Sequence, residues 1–358
     1  MDADFLIIGG GIAGVSAAAR LAALGSVVLV EREGVLGHHA SGRSAALYEP
    51  RYGLPAVVAL SLAGGDEFRA SGLLSPRGLM IVGKAGDEAQ FASDIKAMDL
   101  ERVTIEEARA VVPVLNAETV REVAMASHAW DIDTDRMLQG YAREAKRLGA
   151  RVVTGAEVTA ISREGAGWRV VTSQGDFTAG MVVNAAGAWA DQVAVMAGVR
   201  PTGLMPMRRS MARIPAPGGH DVRGWPMIFG AGETWYAKPD AGALIVSPAD
   251  EDQMAPHDAF ADDMVLAEGL ARYGEMVTEP VTRLLANWAG LRTFAPDRVL
   301  VIGRDVAERT FFWLAGQGGY GFQSAPAASR LVADLVNGSA SELGDDLVAA
   351  LSPARFGG

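Results

Sequence analysis

At 358 residues, with 49% hydrophobic and 21% charged positions, the chain is long enough for two cores and ordinary for a globular protein. A formal net charge of −11 argues against nucleic acid or an anionic lipid surface, since both demand cationic patches. Cysteine is absent, which removes disulfides, thiolate metal sites and cysteine nucleophiles. No apolar run approaches the roughly 20 residues that span a bilayer. The histidines (His38, His39, His128, His220 and His257) show no ligand spacing, so no metal is expected. Asp2 and Asp4 stand where a secretory signal would be basic, so the expected compartment is the cytoplasm or the periphery of the inner membrane.

The apolar run Phe5-Leu6-Ile7-Ile8 predicts a buried parallel strand and enters Gly9-Gly10-Gly11-Ile12-Ala13-Gly14 directly, a G-x-G-x-x-G pattern. Helical spacing follows from Ile12 to Leu24, and Val27-Val28-Leu29-Val30 supplies a second strand ending at Glu31 and Arg32. Such glycines alone are weak support in a chain with 43 of them, but the complete βαβ unit is specific. Gly9 permits the tight turn, Gly11 lets backbone approach a pyrophosphate, and Gly14 lets the helix pack on the strand. The free N–H groups at the helix start favour phosphate, and Glu31, 20 residues after Gly11, can accept the ribose hydroxyls of an adenosine.

Regular βα alternation then stops. Gly37 to Ala46 is a loop of small residues, and Gly42 to Ala46 is expected to open a helix facing a flat ligand. Residues 71 to 133 mix short strands such as Leu79-Met80-Ile81-Val82 with a helix from Thr104 to Val112, opened by a Thr104/Glu107 capping box. Thr134 to Leu148 reads as an amphipathic helix stopped by Gly149, and strands return at Arg151 to Val153 and Glu157 to Ile161. Met181 to Trp189 repeats the strand, glycine turn and helix pattern. Phe311 to Ala315, followed by Gly316-Gln317-Gly318-Gly319-Tyr320-Gly321 and a helix through Leu335, repeats it again. Between them, Trp235 to Lys238 and Ala243 to Val246 flank Pro239-Asp240-Ala241-Gly242 as a hairpin. The expected fold class is α/β: a Rossmann-like dinucleotide-binding domain assembled from discontinuous pieces (1–70, 134–190, 294–358), with a largely antiparallel β-sheet substrate domain and flanking helices (71–133, 191–293).

Taken together, Gly9 to Gly14, Gly42 to Ala46, Val183 to Trp189, Gly290-Leu291-Arg292 and Gln317 to Gly321 resemble the D-amino acid oxidase and glycine oxidase superfamily. Within it, Arg51 to Gly53, Trp130 to Asp135, Arg208-Arg209-Ser210, Tyr236 to Asp240 and Ala289 to Arg292 resemble the FAD-dependent D-arginine dehydrogenases most. The resemblance implies that the dinucleotide domain is a Rossmann-like FAD-binding domain of the discontinuous GR2 type holding noncovalent FAD, and that a D-amino acid is oxidised to its imino acid by hydride transfer from Cα to flavin N5. Water then yields the 2-oxo acid and ammonia, and electrons pass to a quinone-like acceptor or oxygen. It also implies a cofactor set: Gly9, Gly11, Ile12, Ala13, Gly14, Glu31, Arg32, Gly42, Arg43, Ser44, Ala45, Ala46, Val158, Ala186, Gly187, Trp189, Gly290, Arg292, Gly318, Gly319, Tyr320, Gly321, Phe322 and Gln323.

By the same resemblance Arg209 and Arg292 clamp the substrate carboxylate, a task that suits the bidentate guanidinium. Tyr52, Tyr236 and Gly319 are expected to touch the substrate. The chain departs from the D-arginine enzymes where they carry a glutamate and a histidine, here Leu79 and Leu47. With Leu47, Leu79, Met227 and Phe229 as expected lining, the pocket favours neutral, apolar side chains. Glu49, close to Tyr52, could instead serve a basic D-amino acid unless Arg51 neutralises it. Oxidation of glycine, sarcosine or another secondary amine stays open as the alternative chemistry. A flavin protein without turnover, or a nicotinamide enzyme using the N-terminal unit, fits the paired arginines and the later glycine junctions less well.

Overall fold

The protein is described from a computed structural model covering residues 1–357. The first sheet is built on strand Ala3–Ile8, which pairs in parallel with Val27–Val30 on one side and Gly175–Asn184 on the other. The long strand Gly175–Asn184 has two uses: its first half forms a hairpin with Gly167–Thr172, and its last residues pair in parallel with Phe311–Ala315. Register puts Ile8 beside Val30 and Asn184, and Asn184 beside Trp313. The carboxyl ends of four strands drawn from distant sequence therefore share one edge, the edge where open α/β sheets bind ligands. Helices Ile12–Leu21, Thr134–Arg147 and Gly321–Asn337 cover one face and close the core around Ile7, Leu29, Val183 and Phe312.

The second sheet has nine strands, and their pairings are antiparallel except where Met227–Gly230 runs alongside Leu79–Lys84. Its longest pairing joins Met205–Ile214 to Ala286–Phe294, with Arg209 opposite Gly290 and Met207 opposite Arg292. Because strand side chains alternate faces, Arg209 and Arg292 lie diagonally on one face, and at Gly290 between them a Cβ would meet Ala40 and Arg43 at 3.5 Å. The Tyr236–Asp240 and Ala243–Ser247 hairpin forms as expected, with Ala241 and Gly242 both at positive φ.

Other elements come close to their sequence signals. The Thr104/Glu107 capping box is present, the helix before Gly149 runs Thr134–Arg147, and that glycine has φ 93°. The first helix ends at Leu21, three residues short of expectation. A third, three-stranded sheet (Leu47–Tyr48, Trp130–Ile132, Leu74–Pro76) had no signal, its strands being too short to show alternation. The expected helix from Gly42 to Ala46 does not form: a single 3-10 turn, Ala40–Arg43, gives way to extended chain at Ser44. Ala46 has φ 30°, a left-handed value no helix can contain. The buried ammonium of Lys238 donates to the carbonyls of Ala45 and Ala46 and pairs with Asp131, which also holds Arg77. That network fixes the turned segment.

Candidate active site

Three cavities run end to end across the shared strand edge. The first, of about 360 Å3, is lined by Gly9, Gly11, Glu31, Arg32, Val158, Ala186, Gly187 and Trp189. The second is lined by Ile12, Ala13, Gly318, Gly319 and Gly321, and shares Gly11, Arg43 and Gly290 with the first. The third holds Leu47, Glu49, Tyr52, Met227, Phe229 and Tyr236. It shares Ser44, Arg292, Gly319 and Phe322 with the second.

The first two cavities are walled largely by backbone. Gly9 has φ 111°, and a Cβ there would lie 2.3 Å from the Ala185 oxygen, so two of the strand ends can approach only through glycine. A Cβ on Gly14 would lie 1.9 Å from the Gly9 oxygen. Gly14 and Gly42 do not border the cavities; each serves close backbone packing, Gly42 N–H donating to Gly37 at 2.6 Å. Glu31 accepts the N–H groups of Gly10 at 2.6 Å and Glu33 at 2.9 Å. Its carboxylate is thus oriented by backbone, and each oxygen retains accepting capacity. Arg32 lies over the Trp189 ring at 4.9 Å.

Ser41, which the sequence did not single out, accepts the Ile12 N–H at 3.0 Å. Arg43 ties this loop to the second sheet by donating to Ala259, Ala289 and Asp258. The Thr293 hydroxyl, buried in the second cavity, has no hydrogen-bond partner. An elongated dinucleotide fits these features: acidic ribose acceptor at one end, glycine and helix N-terminus in the middle, an unmatched hydroxyl and the Gly318–Gly319 turn at the other.

Glu33, His38 and His39 each bring one ligand atom within 4.8 Å of the others beside the first cavity, although their spacing gave no metal signal. The Arg43 guanidinium stands 3.5 Å from His38. A fixed cation there disfavours a second one.

The third cavity is built by side chains. Arg292 Nη2 lies 3.3 Å from the Tyr236 hydroxyl, and among the described residues no carboxylate comes within ion-pair distance of its guanidinium. Arg209 differs. Its guanidinium is paired with Glu233 at 2.9 Å and Glu251 at 3.0 Å, so the expected pair of free clamping arginines is, in this fold, one free arginine and one engaged. Glu233 also accepts the Tyr52 hydroxyl at 2.5 Å. Burial opposes its charge, but the guanidinium groups of Arg209 and Arg292 hold its pKa below the ordinary carboxylate range. Burial, then the adjacent Glu233 charge, raises Tyr52 well above the usual tyrosine range, so it stays a phenol.

Some expected positions fall elsewhere. Leu79 is wholly buried in the sheet's own core and does not border the cavity. Ala45, Ala46 and Gln323, expected at the cofactor, line the third cavity. Tyr320 packs its ring 5.4 Å from that of Tyr52. The apolar lining is interrupted by Glu49 and Glu233, the latter missed because its loop, Ala231–Glu233, carries no motif.

A two-lobed α/β protein with a dinucleotide cradle opening on a guanidinium-bearing cavity is an oxidoreductase architecture. The chain belongs to the FAD-dependent oxidoreductase (DAO) family, whose match spans residues 4–335. It is 30% identical to a glycine oxidase of Pseudomonas aeruginosa over 94% of this chain and 96% of that one. It is 24% identical to a sarcosine oxidase subunit beta of Rhizobium meliloti over 93% of this chain and 84% of that one. In fold it is similar to the glycine oxidase of Geobacillus kaustophilus, with TM-score 0.85 and 22% identity over 99% and 98% of the two chains. The cofactor is therefore FAD, and the chemistry is oxidation of an amine or amino acid. Among the described residues no helix is long and apolar enough to cross a membrane.

Proposed function

We propose that the protein is a D-amino acid dehydrogenase whose substrate carboxylate is received by Arg292. The observation that carries the carboxylate assignment is the unpaired, partly buried guanidinium at the junction of the cofactor cradle and the side-chain cavity, while the D configuration follows the family resemblance. An isolated charge there calls for an anion, and a carboxylate matches its planar donors. Bound FAD supplies a two-electron acceptor. The chain's own residues position. Arg292 with the Tyr236 hydroxyl holds the carboxylate end, Tyr52 closes the cavity from the segment above, and Leu47, Met98, Met227 and Phe229 exclude water along the side chain.

In the reaction the Cα–H bond and one N–H bond break and the C–N bond becomes C=N, the substrate losing two electrons and two protons to give an imine. Water then adds, giving a 2-oxo acid and ammonia. Side chains at one end and carboxylate at the other leave one enantiomer with its Cα hydrogen facing the cradle. Matched D- and L-amino acids are mixed anaerobically with the holoenzyme. Bleaching of the visible flavin band by D-forms alone is expected, and bleaching by L-forms alone overturns the D assignment. Hydrogen peroxide formed in air at a rate matching dye reduction under nitrogen would make it an oxidase instead.

The similarity to glycine and sarcosine oxidases supports a second reading, oxidation of glycine or an N-methyl amine. Sarcosine in the same anaerobic assay separates the two.

A further inference from the structure

Glu49 follows strand Leu47–Tyr48, borders the third cavity and is only 2% exposed. Its Oε1 accepts the backbone N–H of Arg51 at 2.9 Å. Its Oε2 is buried without a hydrogen-bond partner. The neighbouring charges are spent elsewhere. The Arg51 guanidinium pairs with Asp99 at 3.3 Å and makes no ion pair with Glu49. His128 Nε2 is 3.4 Å from Oε2 but 2.9 Å from the Met98 carbonyl, which can only accept, so the hydrogen on that nitrogen points to Met98. Asp99 adds like charge. Burial, only partly offset by the Arg51 backbone and charge, pushes the Glu49 carboxyl up to about 7. A buried carboxyl oxygen without a donor is costly, and native folds rarely keep one that nothing fills.

We propose that Glu49 determines side-chain specificity: Oε2 receives a cationic amine at the end of a short alkyl side chain. This rests on the reading that Arg292 holds the substrate carboxylate. The cavity then presents a free cation and a free acid among walls of Leu47, Met98, Met227 and Phe229 that can pack the methylenes, its other carboxylate, Glu233, being engaged by Arg209 and Tyr52. The preferred substrate class is the α,ω-diamino acids. The apolar walls that suggested a neutral substrate hold its stem. A site with a buried acceptor discriminates strongly against an isostere that lacks the donor.

The test is calorimetric titration of the holoenzyme with four matched pairs of D-amino acids under nitrogen. They are 2,3-diaminopropionate with 2-aminobutyrate, 2,4-diaminobutyrate with norvaline, ornithine with norleucine, and lysine with 2-aminoheptanoate. One diamine is expected to bind about 10- to 150-fold tighter than its isostere, the range for hydrogen bonds to charged groups, and E49Q should collapse that ratio. Its chain length measures the reach from Arg292 to Glu49. A diamine that binds in this way without bleaching the flavin supports Glu49 and overturns the proposed oxidation. Isosteres that bind as well as every diamine, a ratio unmoved in E49Q, or no binding by any pair overturns the role of Glu49. If E49Q does not fold, the wild-type ratio between pH 6 and 8 decides. A ratio that grows as Glu49 ionises supports the assignment and a flat ratio overturns it, the other charged or titratable groups that face it being His128, Arg51 and Asp99 and, in the lining of the same cavity, Glu233 and Arg292.

Discussion

The cofactor cradle and the substrate cavity adjoin at Arg292 but are made in opposite ways. The cradle is backbone: Gly9, Gly11 and Gly318–Gly319 at the ends of in-register strands, where the absence of side chains is the function. The cavity is side chains from several distant segments, with charges partly cancelled by one another. A backbone site is limited first by added volume; a side-chain site is limited first by which of its charges are paired. Substitutions can test that contrast.

The largest effect is expected in the cavity. Arg292→Met removes the unpaired guanidinium and should lower kcat/KM by about 30- to 5,000-fold, corresponding to about 2–5 kcal/mol, with little change in Tm. Arg209→Met should do the converse. It strands Glu233 next to a buried gap, while Glu251, exposed, keeps Arg298, so the main loss is stability, about 3–5 kcal/mol, read by denaturant unfolding of the holoenzyme. A kinetic collapse in R209M with R292M spared would exchange their roles.

Beneath the cradle, Gly14→Ala introduces a Cβ 1.9 Å from the Gly9 carbonyl oxygen, a backbone atom that cannot rotate away. A loss of about 3 kcal/mol in stability, with purified protein carrying less FAD per chain, is expected. A G14A protein with full cofactor and unchanged unfolding would mean that the strand–helix approach is looser than this geometry.

The same contrast explains what could be read in advance. Glycines at strand ends leave a sequence signature because only glycine fits, so the junctions at Gly9, Gly187 and Gly318, and with them a bound dinucleotide, were legible from spacing, FAD itself coming from the resemblance they carry. Glu233 and Thr293 were not, since what makes them matter is a partner present or missing across the fold: Arg209, 24 residues away, for one, and no hydrogen-bond partner for the other. Arg209 and Arg292 looked equivalent in sequence, and only pairing separates them. Ala46 shows the limit for backbone too. Its left-handed φ is imposed by Lys238, 192 residues later, which no local propensity announces.

Glu49 gives a pH prediction with a defined sign. Its folded pKa, about 7, lies above the ordinary 4.5, so ionising it costs folding free energy. That cost is absent below pH about 4.5, grows as pH rises toward 7, and reaches roughly 3 kcal/mol at most above it. E49Q should therefore raise Tm at pH 8 and leave it nearly unchanged at pH 5. A gain of equal size at both pH values would place the carboxylate in a less desolvated setting.

The smallest effect returns to the cradle. Helix Ile12–Leu21 begins at Gly11, which has no side chain to cap it, and Ser41 supplies the missing acceptor from a loop 29 residues away. Ser41→Ala should cost about 1 kcal/mol in protein stripped of FAD, the usual value of a lost cap. In the holoenzyme the phosphates bring negative charge to the same helix end, so the deficit should shrink. Denaturant unfolding of S41A and wild type, each with and without FAD, measures the difference. An equal deficit in both states would mean that Ser41 holds the loop but takes no part in the anion site. A deficit confined to the stripped protein would show side chain and phosphate serving the same helix end, the one place where the cradle borrows the cavity's method.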